Sequence, residues 1–189
     1  MKLEDIRTVA DAIAFYHSPE SRRIVELING RRDLNYLNHN YANALCLAEV
    51  MFRNASKRVC ILSGERIFDT LNILREPFEV AYNAITQNRG YIRIISLGTS
   101  ADFKAKISPA YKEFTKAYPA VEFKVGIISD PLRVSHYMIC DNDARIEQPH
   151  WGLTDKSSAE AFRATVYFHQ DTAEIDKLEH KFSELFAML

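Results

Sequence analysis

The segment His136-Tyr137-Met138-Ile139-Cys140-Asp141-Asn142-Asp143 carries the chain's most suggestive chemistry, an imidazole and a carboxylate separated by six residues. A histidine gains and loses a proton near neutral pH, and a carboxylate on its ring can hold it in one tautomer. The apolar neighbours Val134, Tyr137, Ile139 and Cys140 imply that His136 is largely buried, and a buried imidazole needs hydrogen-bond partners. Two readings stand side by side: a core histidine satisfied by Asp143, or a histidine kept for binding a ligand. Around it, Arg133 and Arg145 would supply positive charge, Glu147 a carboxylate, His150 a second imidazole, and Trp151 an aromatic contact in a polar loop. Each also has a structural role open to it. Arg133 suits a turn after Pro131, Arg145 an outward strand position beside Ile146, His150 a loop after Pro149, and Trp151 a cap on a sheet edge.

These residues need elements to hold them. Ile6, Val9, Ala10 and Ile13 recur at helical spacing, and Ser18-Pro19-Glu20 is a helix start, with the helix through Ile24, Leu27 and Ile28 stopping near Gly30. The basic pairs Arg22-Arg23 and Arg31-Arg32 beside it read as a solvated helix end or a phosphate contact. From Asn40 a third helix leads into the apolar run Arg58–Ser63, and strands and helices then alternate. A helix from Phe68 to about Ile85 is expected to kink or restart at Pro77, followed by the strand Tyr91–Ser96, a helix from about Ala101 to Tyr118 and the strand Val121–Ile128. Such alternation implies parallel pairing with helices on both faces. Next come two short strands, Ser135–Cys140 and Ala144–Gln148, split by hairpin residues, then a strand from Phe162 to Phe168 and an amphipathic helix bearing Ile175, Leu178, Phe182, Leu185 and Phe186. The chain divides into a helical segment, 1–39, and an α/β domain, 40–189.

This order, with the histidine and aspartate spaced as they are, resembles one repeat of the phospholipase D superfamily. The family motif is histidine, any residue, lysine, four residues, then aspartate. Here His136 and Asp143 fall in register while Met138 stands where the lysine belongs, and His150-Trp151-Gly152 follows where the family has a Gly-Ser element. The resemblance implies a mixed sheet flanked by helices. It also implies that His136 is nucleophile or acid, that Asp143 orients it, and that two copies of a single-repeat chain pair to bring two histidines together. In the family, one histidine attacks phosphorus, the other protonates the leaving oxygen, and the lysines bind the nonbridging oxygens. Methionine compensates no oxygen charge, and losing one preorganised donor of this kind lowers the rate by a factor of about 10² to 10³. The expected protein is therefore a degenerate, noncatalytic module, a pseudoenzyme that dimerises and binds a protein partner or a phosphate-bearing ligand. A dimeric phosphodiesterase or nuclease with Arg133 or Arg145 replacing the lysine, and a purely structural subunit, are the alternatives.

Composition narrows the field further. With 189 residues, 47% of them hydrophobic, the chain can bury one good core. Cys46, Cys60 and Cys140 are odd in number and lie in apolar runs, so they read as buried thiols in a reducing compartment. No apolar run reaches membrane-spanning length and the N-terminus lacks a signal-peptide pattern, so a cytoplasmic protein is expected. Net charge is −1, and residues 136–189 carry ten acidic side chains against five basic ones, so nucleic-acid binding is not predicted from charge. Neither a cofactor nor a metal is expected, since the dinucleotide, phosphate-loop and zinc-ligand motifs are all missing.

Overall fold

The chain's first helices begin where side chains cap them. The Thr8 hydroxyl accepts from the Asp11 amide at 3.1 Å and the Asp11 carboxylate accepts from the Thr8 amide at 2.9 Å, a reciprocal box that opens α1 (Val9–Tyr16). Ser18 caps α2 (Pro19–Asn29), which has proline at its first position and ends at Gly30. The computed structural model describes residues 6–32, 34–38, 40–128, 136–147, 164–168 and 172–189. After the short strand β1 (Tyr36–Asn38), the Asn40 side chain accepts from the Asn43 amide at 2.9 Å and starts α3 (Tyr41–Asn54). There follow β2 (Arg58–Ser63), α4 (Ile67–Ile73), α5 (Arg75–Gln87), β3 (Tyr91–Gly98), α6 (Phe103–Ala117) and β4 (Val121–Ile127). The chain closes with β5 (Tyr137–Cys140), β6 (Asp143–Glu147), β7 (Ala164–Tyr167) and α7 (Thr172–Met188). Pro77 stands in the first turn of α5, after a break at Leu74, where a missing N–H costs no helical bond.

Among the described residues, seven strands form one mixed sheet in the order β1-β7-β6-β5-β2-β3-β4. Strands β2, β3 and β4 run parallel, joined through helices, while β5, β6, β7 and β1 pair antiparallel. The protein is thus an α/β fold, a mixed sheet flanked by helices and preceded by an N-terminal helical segment. That segment is more than helical, because β1 joins the sheet edge with Tyr36 opposite Val166. Its Phe15, Tyr16, Val25 and Ile28 also enter the same core as the rest of the chain.

Strand alternation sends Val59 and Ile61 to one face, and Cys60 and Leu62 to the other. The first face packs on α3, which is buried along almost its whole length, and on α4 to α6. Phe182 and Ile175 of α7, both fully buried, cover the second face. With helices on both faces the parallel strands can be apolar throughout, as the run Val-Cys-Ile-Leu in β2 is. No described helix is long and apolar enough to cross a membrane.

Candidate functional site

In the sheet, β5 lies antiparallel beside β2, where the chain leaves the parallel unit. Tyr137 sits opposite Leu62, so His136, one residue earlier, stands at the carboxyl edge of β2. This is the edge at which open α/β sheets take ligands, beside the point where strand order reverses. The turn after β2 shapes the place. A Cβ at Gly64 would lie 3.1 Å from His136 Cε1 and 3.5 Å from Nε2, so a glycine lets the imidazole lie against the backbone. Ser96, fully buried at the end of β3, donates to the Gly64 carbonyl at 3.1 Å and fixes that turn. His136 itself is half-buried.

Met138, in the motif's lysine position, is 6% exposed and packs in the main core, opposite Ile61 of β2 and Arg145 of β6. Asp143 does not meet His136. Cys140 pairs with Asp143 at the far end of the hairpin, so His136 and Asp143 are about four strand steps, roughly 13 Å, apart along β5. The expectation of an Asp143 that orients His136 is therefore corrected: the spacing is right for the motif, but the strand length separates the two side chains. Asp143 is 2% exposed and forms an ion pair with Arg32 at 2.6 Å, and the Arg32 guanidinium lies 5.6 Å from the Phe168 ring. Arg32 is thus not a solvated helix end. It ties the N-terminal segment to the hairpin.

The hairpin is held by Asp141, which the sequence marked as a turn residue but not as a clamp. Its φ of 50° at the first position of the two-residue turn suits a hairpin, and aspartate tolerates it better than most side chains. Its carboxylate accepts from the amides of Ser56, Lys57 and Arg58 at 2.8, 2.9 and 2.8 Å, and from the Ser56 hydroxyl at 3.0 Å. This clamp joins the hairpin tip to the start of β2, and so sets the register that brings His136 to Gly64 at the other end.

Arg145 pairs with Met138 and Val166, and Glu147 with Ala164, in the backbone ladder. Glu147 ends β6 one step beyond the Tyr137–Ile146 pair, which puts its backbone at the His136 edge. Arg133, His150 and Trp151 lie outside the described residues. The segments that contain them begin after Ile128 and Glu147 and rejoin at His136 and Ala164, all at this edge. Elsewhere, burial pushes the thiols of Cys46 and Cys60 up to about 12 and that of Cys140 well above its ordinary value, so none offers a thiolate. Among the described residues no group of three or more histidine, cysteine or acidic side chains could hold a metal ion.

Neither a family model nor a curated protein matches this sequence. Among solved structures, the fold is similar to that of TrmBL2, an archaeal chromatin protein described as having a novel mode of DNA binding. The TM-score is 0.56 at 10% identity, over 89% of this chain and 60% of that one, so the chain spans less than two thirds of its neighbour and the likeness is one of fold.

Proposed function

We propose that the protein is a noncatalytic, phospholipase D-like module that acts in the cytoplasm as a homodimer and binds a phosphate-bearing ligand at the His136 edge, as a regulatory or binding subunit. One observation carries this reading: His136 stands at the open edge against Gly64, whereas the position that would supply the cation, Met138, is turned into the core. Phosphoryl transfer depends on charge placed around the nonbridging oxygens, and a buried methionine cannot provide it. A half-buried imidazole at a sheet edge can still hydrogen-bond a phosphate oxygen without breaking a bond. TrmBL2 binds DNA, but this chain's net charge of −1 and its acidic last third give little counterion release, so a small phosphate-bearing ligand is the better fit.

The test is a titration with inorganic phosphate followed through imidazole nitrogen shifts, run beside light scattering. Saturable movement of the His136 resonance in a particle of twice the chain mass is expected. A monomeric mass at micromolar concentration, or an imidazole that phosphate leaves unmoved, would contradict the proposal.

A further inference from the structure

Away from the His136 edge, an open cleft of about 470 Å³ lies between the α1–α2 corner and the α4–α5 junction. Tyr16, Pro19 and Arg22 form one wall, and Ile73, Glu76 and Pro77 another. Its size falls within the range of small-ligand sites. Beneath it a chain of ion pairs fixes both charged walls. Glu49 is fully buried and accepts from Arg22 Nη1 at 2.8 and 2.9 Å, from Arg53 Nε at 2.8 Å and from the Tyr16 hydroxyl at 2.6 Å. Arg22 Nη2 donates to the Tyr16 carbonyl at 2.9 Å, with the guanidinium 4.8 Å from the Tyr16 ring. On the opposite wall, Arg53 holds both oxygens of Glu76.

The cluster counts two cations and two anions and is neutral as a whole. Its outermost members keep unused capacity, with Arg22 41% and Glu76 67% exposed in their side chains. Among the described residues nothing accepts from Arg22 Nε, and each Glu76 oxygen takes only one bond. A simple anion placed here meets the Glu76 carboxylate, and a simple cation meets the Arg22 guanidinium. A molecule bearing both charges meets neither penalty, and it finds both partners already oriented.

We propose that this cleft binds a small zwitterion of the α-amino acid class, its carboxylate on Arg22, its ammonium on Glu76 and its side chain against Ile73, Pro19 and Pro77. The site is independent of the His136 edge. Three probes test it on the full chain by amide NMR: L-leucine, N-acetyl-L-leucine, which lacks the ammonium, and L-leucine amide, which lacks the carboxylate. L-leucine should give saturable shifts in residues 16–22 and 73–77, and each blocked form should bind about tenfold more weakly or worse. Glu76→Gln, a change on an exposed side chain, should keep the parent's circular dichroism and lose about tenfold in L-leucine affinity. No saturable shift with L-leucine at about 10 mM overturns the proposal. So does a blocked form that binds as well as L-leucine, or a Glu76→Gln protein that keeps the parent affinity.

Discussion

Replacing Asp141 with alanine removes the acceptor of four hydrogen bonds, three of them from consecutive amides at the entrance to β2. Bonds to a charged acceptor contribute about 1.5–3 kcal/mol each, less where water can take over, and water reaches part of this turn. A net loss of about 3–5 kcal/mol follows, a large share of the roughly 5–15 kcal/mol that holds a domain together. Alanine at a φ of 50° adds about 1 kcal/mol of backbone strain, and glycine avoids it. Asparagine keeps one acceptor oxygen and tolerates the left-handed backbone. Urea melts should therefore rank the parent first, then Asp141→Asn, Asp141→Gly and Asp141→Ala, with glycine about 1 kcal/mol above alanine. An alanine variant within about 1 kcal/mol of the parent, or one more stable than the glycine variant, refutes the clamp.

Met138→Lys should destabilise by about 3 kcal/mol or more, because it buries an ammonium without a counter-charge, and phosphodiester turnover should not appear in the same preparation. Glu49→Gln should cost about 3–5 kcal/mol in urea melts at neutral pH, since it leaves Arg22 and Arg53 facing an uncharged amide. Burial pushes the Glu49 carboxyl up, but bonds from Tyr16 and Arg53 with the charges of Arg22 and Arg53 outweigh it and hold the folded value below the ordinary 4.5. Its stabilisation is therefore complete above pH 4.5 and is lost as pH falls through the folded value, so acid melts of parent and Glu49→Gln should converge. Gly64→Val should crowd the imidazole, which lies only 3.1 Å from where a Cβ at residue 64 would stand, and weaken phosphate binding about tenfold, while circular dichroism stays that of the parent.

Much of the frame was readable from residue order. A capping residue marks α2, and the apolar runs mark β2, β3 and β4 to within two residues, because each signal is local. Strand β1 escaped because three residues, Tyr-Leu-Asn, carry no period, and its pairing with β7 joins residues more than 120 positions apart. Asp143 was singled out by its spacing from His136 and given the wrong partner. Spacing along a chain says that two residues share a hairpin; only register says which end each occupies. Arg32 looked like its neighbour Arg31 until the fold brought Asp143 to it. Ser63-Gly64 could be assigned to a carboxyl edge, but its approach to His136 depends on β5 entering beside β2, a choice of topology that no local pattern encodes.

The reading of His136 as a binding residue without catalysis is most directly tested by turnover. Purified parent and His136→Ala proteins would be incubated with bis(p-nitrophenyl) phosphate and nitrophenolate release followed. The parent should hydrolyse the diester no faster than His136→Ala does. Hydrolysis by the parent that the substitution abolishes would contradict that reading and would establish a working phosphodiesterase built on His136.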